Sequence, residues 1–335
     1  MTETALLRHP RTAAIGAALV LLAAPPLLSS FLLTLLTQAL VYGILAMSLD
    51  LLLGYTGLSS LGHAAYLALG AYSVGILTTR HGANFWVTLM VGVLAAAVAA
   101  AIFGLLALRA TGVYFLMITL ALGMVIWGLA HRWVSMTQGD NGLSGVPRPT
   151  GLPWSVAEGV PFYYLVLIAF ALAFVVLRTV VRAPFGQTLV GIRESETRMR
   201  TLGYHVWLHK YIGFVIAGAV GGFAGVIWAY YNGFVSPADA ELATSVEVLL
   251  MVALGGRGTL FGPAIGAGVI VMLKNLVSVY THRWLLILGT VYIGTIVYAP
   301  DGIVGTLRSW LAARRRRPVG VAGVVVNPEG GGPHG

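Results

Sequence analysis

Apolar residues along this chain fall into long uncharged runs, separated by short breaks rich in glycine or charge. The runs cover about 12–30, 32–53, 61–79, 85–108, 112–131, 161–177, 211–231, 244–256, 262–280 and 284–300. Crossing a hydrocarbon core takes about 20 apolar residues in a helix. The eighth run is short and Pro25-Pro26 interrupts the first, so nine spans stand as the alternative to ten. The pattern predicts an all-α fold, a polytopic transmembrane helical bundle.

Composition strengthens that reading. Of 335 residues, 58% are hydrophobic and 9% are charged, against about 25% charged in a soluble domain. The 43 glycines suit closely packed membrane helices. With no cysteine there is neither a disulfide framework nor thiol chemistry. The net charge of +9 points to membrane orientation rather than to nucleic acid.

The stretch after Arg8 and Arg11 imitates a signal peptide, but a second apolar run follows at once, which favours a signal-anchor helix. With the N-terminus placed in the cytoplasm, 15 of the 20 Lys and Arg residues fall inside, and Arg80, Arg132, Arg148, Lys274 and Arg283 fall outside. This bias predicts cytoplasmic termini and an even number of spans. The expected organisation is a cytoplasmic N-terminus over 1–11, a membrane domain over 12–310 with a cytoplasmic loop at 178–210, and a basic tail over 311–335. That tail, RRRRP followed by a Gly/Pro/Val stretch, has nothing to bury, and its composition predicts disorder. Its arginines are suited to anionic headgroups.

The polar island at 178–210 is too costly to bury in lipid. Pro184 suits a helix start and Gly203 a helix end. Between them Leu189, Ile192, Met199 and Leu202 fall on one face. Glu194 with Arg198, and Glu196 with Arg200, are acid-first i,i+4 pairs worth about 0.2–0.5 kcal/mol each. Two readings stay open: a surface helix joining two spans, and a docking helix that inserts into a partner's groove.

The motif APFGQTLVGIRESE followed by RTLGY resembles the cytoplasmic coupling loop of permease subunits in branched-chain amino-acid ABC importers, the LivM-type family. The resemblance assigns Gly191, Arg193, Glu194, Glu196, Leu202 and Gly203 to ATPase coupling. Ser195 stands where relatives commonly carry asparagine. A second match is GYTGLSSLGHAAYLALGAY at 54–72, with Leu58 in place of an expected glutamine. Irregular backbone at this depth must be buried in protein or line a wet cavity. It makes Gly57, Ser60, Gly62 and His63 candidates for the translocation path, with a structural hydrogen-bonding histidine as the alternative for His63. GVYFLMITL at 112–120, NGLSG at 141–145, GFVSP at 233–237 and LLMVALGGRGTLFGP at 249–263 extend the resemblance over about 35–305.

The resemblance implies a permease that pairs with a LivH-type second permease, two cytoplasmic ABC ATPases and an extracytoplasmic substrate-binding protein, in the bacterial inner membrane. It implies no cofactor and no catalysis by this chain. Importers of urea or short amides are the nearest alternative, and a proton-coupled secondary transporter using Asp50 and Glu247 is a more distant one. An intramembrane enzyme is disfavoured because no paired carboxylates or metal motif appear.

Ionisable residues inside spans are functional candidates by default. Asp50 and Lys274 lie near span ends, where snorkelling is expected, whereas Glu247 sits between Val246 and Val248 and is a candidate for the path or for an interhelical bond. No Walker A pattern occurs, and GGRG at 255–258 reads as a tight cytoplasmic turn. His205 and His209 have helical spacing but lack the acid of a metal-binding H-E-x-x-H, so interfacial snorkelling is expected instead. Small-xxx-small faces at Gly218/Gly222, Gly221/Gly225 and Gly262/Gly266 suit intrachain packing or contact with a second permease. The charge bias makes a direct prediction in this cysteine-free chain. Single cysteines at Ser195 and Ser236 should label from opposite sides of the membrane. Labelling of both from outside would overturn the topology.

Overall fold

The computed structural model describes residues 10–152 and 159–280, with short helical pieces between 286 and 306. The expected basic tail and most of the expected tenth span and N-terminus lie outside these residues.

The described chain is helical almost throughout. Helices α1 (Pro10–Leu27) and α2 (Ser30–Asp50) come first, and α2 runs on into a π-helical turn, Leu51–Thr56. Next come α3 (Ala64–His81), α4 (Phe85–Ala107), α5 (Val113–Arg132) and the single turn α6 (Val134–Thr137). The second half holds α7 (Val160–Arg182), α8 (Pro184–Glu194), α9 (Glu196–Thr201), α10 (Val206–Asn232), α11 (Leu242–Gly255) and α12 (Phe261–Tyr280). Local chemistry fixes several starts. Asn84 accepts from Val87 N at 3.1 Å to open α4, and Ser29 accepts from Leu32 N at 3.5 Å to open α2.

Six helices among the described residues are long and apolar enough to cross a membrane: Ser30–Thr56, α4, α5, α7, α10 and α12. The fold is therefore an all-α, polytopic membrane bundle. The expected first, third and eighth spans appear as α1, α3 and α11, which are not among the six. At 14 residues α11 falls short of a full crossing. Two spans are longer than their apolar runs. Helix α7 continues to Arg182, and α10 begins at Val206, so the two ends of the polar island are helical extensions of its neighbours.

Helix α2 is the pillar of the bundle. From Ala39 to Leu53 every residue is buried, on all sides of the helix. It packs against α7, α10, α11 and α12, while α10 also packs on α3 and α4. The flanking α4 and α5 turn Met90, Leu94, Val98, Met117 and Val125 outward, an apolar surface suited to lipid. At one end of the bundle the NGLSG and GFVSP motifs meet. Leu143–Ser144 (β1) pairs antiparallel with Phe234–Val235 (β2), setting Leu143 opposite Val235. Arg148 braces this end by donating to Tyr230 O at 2.7 Å and lying 4.9 Å from the Phe162 ring centroid.

Glycine sets the helix spacing. A Cβ at Gly70 would meet the Gly222 carbonyl, one at Gly222 would meet Ala96 Cβ, and one at Gly225 would meet the Leu67 carbonyl. The glycine faces of α10 are thus spent within the chain, against α3 and α4, as are Gly262 and Gly266 against α11. Gly225→Ala should destabilise the protein by about 1–3 kcal/mol through overpacking, read as a lower melting temperature in detergent. Gly128→Ala is the control, because nothing lies within 4 Å of its added methyl. It should change stability by about 0.5 kcal/mol or less.

Candidate functional site

The helix break after α2 is an ordered structure. The π-helical turn widens the helix end, Leu58 N bonds back to Leu52 O at 2.9 Å, and Gly57 takes φ +78°, which favours glycine. The chain then runs without regular structure to α3. Its backbone donors are met by side chains from other helices: Leu61 N by Thr119 Oγ1 of α5 at 3.2 Å, and Ala64 N by Ser245 Oγ of α11 at 3.1 Å. Gly62 lies against the backbone of α5, where a Cβ would meet the Thr119 carbonyl.

His63 is fully buried. Its Nε2 lies 2.7 Å from Ser48 Oγ, its ring meets Tyr66 edge-on, and its Nδ1 has no hydrogen-bond partner among the described residues. Ser60 is also buried, and its hydroxyl has no partner among the described residues. The candidate path residues divide accordingly. Gly57 and Gly62 supply backbone shape, whereas Ser60 and His63 retain unused polar capacity inside the bundle.

The expected single helix over 184–203 is two helices, α8 and α9. Ser195 adopts extended backbone (φ −161°, ψ 102°), and its Oγ accepts from Arg198 N at 3.3 Å as the N-cap of α9. Asparagine caps helices in the same way, which accounts for serine at this position. The break also removes the i,i+4 geometry of Glu194 and Arg198, and no ion pair joins them among the described residues.

The apolar stripe is largely consumed by the chain itself. Leu189 enters the main core, and Ile192, Met199 and Val206 form a small cluster of their own. Gly191 makes room for Met199, whose sulfur would lie 2.8 Å from a Cβ there. Leu202 alone of the four stays open, 65% exposed. Gly203 ends the segment at φ +87°. Glu196 pairs with Arg200 at 3.7 Å and with the buried Lys210 of α10.

Sequence reasoning missed Lys210, yet a signal existed. Val206, Lys210, Gly213 and Ala217 are spaced on one helix face, and that face is buried. Beside this junction lies a hollow of about 460 Å³ lined by Arg200, Tyr204, His205, Val206, Trp207 and Leu208. His209 stacks on Phe185 with ring centroids 5.8 Å apart.

The in-span charges are engaged rather than snorkelling. Asp50 is fully buried, because the helix continues six residues beyond it. Its two carboxylate oxygens accept from Gly258 N at 2.7 Å and Leu260 N at 3.1 Å, in the turn joining α11 and α12. Glu247 of α11 accepts from Lys274 of α12 through both oxygens, at 3.1 and 3.0 Å, which is an interhelical bond. At the β1–β2 end, Asp239 accepts from Trp228 Nε1 at 2.8 Å and Ser236 N at 3.0 Å. Burial raises its carboxyl pKa, and these two bonds oppose the rise.

These features have counterparts among known proteins. The family model described as "Branched-chain amino acid transport system / permease component" matches residues 31–297. The high-affinity branched-chain amino acid transport system permease protein LivM of Escherichia coli (strain K12) is 31% identical over 298 residues, covering 82% of this chain and 70% of that protein. The protein of the same name from Salmonella typhimurium is 30% identical with the same coverage. The probable branched-chain amino acid transport permease protein LivM of Methanocaldococcus jannaschii is 26% identical over 180 residues, 49% of this chain and 52% of that protein. No solved structure matches significantly. On the breadth of these matches, the chain belongs to the family of branched-chain amino-acid transport permease components, as a LivM-type member.

Proposed function

We propose that this chain is a membrane subunit of an ATP-driven importer for branched-chain or similar amino acids, in a bacterial inner membrane. The observation that carries the reading is the match to two LivM permeases at 30–31% identity across 82% of the chain. The reading includes ten spans with both termini cytoplasmic, a membrane domain over 12–310, and a basic tail over 311–335 resting at the headgroups. A LivH-type permease, two cytoplasmic ATPases and a substrate-binding protein complete the transporter. Gly57, Ser60, Gly62, His63 and Glu247 are proposed to border the path. A proton relay is the weaker reading, because Asp50 is held by two backbone amides and Glu247 by Lys274.

Residues 178–210 are proposed to face the ATPases. Burial divides the labour within that segment. Leu189, Ile192 and Met199 fasten it to the bundle, and Lys210 fastens Glu196. Gly191 and Gly203 shape it. Glu194, Arg198, Leu202 and Tyr204 are exposed and form the surface offered to a partner. This differs from the sequence expectation, in which the whole apolar stripe enters a groove.

Two experiments test the proposal. Removal of this chain from cells should abolish ATP-dependent uptake of leucine, isoleucine and valine. Intact uptake of these three with loss of urea uptake would assign it to the alternative substrate class. Leu202→Asp combined with Glu194→Lys should lower copurification of the ATPases and leucine uptake at least fivefold at equal permease abundance. Neither residue has a buried contact to lose, so the permease itself should still insert and fold. Full association and uptake in that variant would remove the docking surface.

A further inference from the structure

We infer that Asp50 and Arg193 form a mechanical joint that carries movement of the coupling segment into α2 and into the α11–α12 turn. The inference rests on reading residues 178–210 as the ATPase-facing segment.

Three separate stretches of chain meet at one point. The first is the π-helical end of α2, the second is the Gly256–Leu260 turn between α11 and α12, and the third is the end of α8. Arg193 of α8 donates through Nη1 to the carbonyl of Gly54, inside the π-helical turn. That turn is where the regular i→i−4 ladder is interrupted, so a side-chain donor here takes part in holding the helix end. Four residues earlier, Asp50 accepts from Gly258 N and Leu260 N across the second interface. Gly258 in turn lies under the guanidinium: a Cβ there would sit 3.5 Å from Arg193 Nη1 and 3.3 Å from Gly54 O.

The glycines make the junction close. A Cβ at Gly54 would meet both the Asp50 carboxylate and the Gly258 backbone. A Cβ at Gly57 would lie 2.9 Å from Arg193 Cγ. The stem of Arg193 thus lies against the first glycine break and its head reaches the second.

The two polar contacts suit transmission better than anchoring. An apolar contact is non-directional and tolerates sliding. A charge-assisted bond to a backbone group is stronger and directional. The backbone it grips at Gly54 leads directly into the irregular segment 57–63. Asp50 transfers the same displacement to α11 and α12, which also carry Glu247 and Lys274. Asp50 and Arg193 are positioning residues, because neither needs to touch the transported molecule.

The test uses the assembled transporter, purified with its ATPases and reconstituted in vesicles with leucine-loaded binding protein. Two quantities are measured: ATPase copurification, and leucine imported per ATP hydrolysed. Asp50→Asn and Arg193→Gln should both retain the ATPases but import at least fivefold less leucine per ATP. Arg193→Lys keeps a charged donor for the Gly54 carbonyl and should recover at least half of the wild-type ratio. A general loss of folding would lower import and hydrolysis together and would not be rescued by lysine. Should Asp50→Asn not insert, the exposed Arg193 still carries the test. A wild-type ratio in Arg193→Gln overturns the joint. Loss of ATPases from the Arg193→Gln complex also overturns it, by making Arg193 a docking contact. Absence of ATPases from the wild-type complex is a distinct failure, which removes the coupling reading and the joint with it.

Discussion

Hydrocarbon offers no hydrogen bonds, and the rest of this structure follows from that constraint. An unsatisfied backbone group in lipid costs several kcal/mol. Each interruption of a helix must therefore find partners inside the protein. The chain interrupts itself twice near the pillar α2, at 57–63 and at 256–260, and resolves both with side chains from elsewhere. Thr119 and Ser245 accept from the first break, and Asp50 accepts twice from the second. A buried carboxylate is itself expensive without hydrogen bonds. Asp50 and the 258–260 amides are each tolerable only because the other is present. The same mutual requirement brings α2, α5, α11 and α12 together, so the breaks act as the fasteners of the bundle.

The small residues follow from the same arrangement. Membrane helices gain little from apolar burial against one another, since lipid tails are equally apolar, and association relies on close van der Waals packing. The Gly70–Gly222 and Gly225–Leu67 approaches bring backbone to backbone or backbone to carbonyl, where larger residues would force the helices apart. At Gly221 of α10 an added Cβ would lie 3.5 Å from His63 Nε2 and 3.7 Å from Leu45 of α2, beside the place where Ser48 Oγ meets that nitrogen at 2.7 Å. Packing by glycine and satisfaction by hydroxyls are thus two parts of one solution.

Much of this was legible in the sequence, and the exceptions have common causes. Long apolar runs gave the α2, α4, α5, α7, α10 and α12 spans because their period and length are strong signals. Boundaries shifted where charge sits on continuing helix, as at Arg178, Arg182 and Lys210. Asp50 read as a span end because the apolar run stops soon after it. A π-helical continuation has no clear composition signature, and it moves that carboxylate into the interior. The stripe Leu189, Ile192, Met199 and Leu202 was correctly read as apolar. Its direction was not legible, because spacing cannot say whether a face meets its own chain or another. Ser195, as an N-cap, breaks the helix between Ile192 and Met199, and within α9 Met199 turns to the chain's own cluster while Leu202, at the C-cap, stays exposed.

That division has a mechanical consequence. A segment that transmits force needs a firm hold on the body it moves and a separate surface for the body that drives it. Were all four apolar residues in a partner's groove, the segment would be tied to the bundle only through flexible chain ends, and a push on it would be absorbed as bending. Here Leu189 and Ile192 are sunk in the chain's own interior, Lys210 grips Glu196, and Arg193 grips Gly54. Leu202 and Tyr204 at the α9 end are left open, with Glu194 and Arg198 exposed beside them. An isolated helix of 11 residues is marginal in water, and α8 is that length. Its rigidity must come from these fastenings, so under the proposed docking the residues that would make it a good lever are those it withholds from the partner.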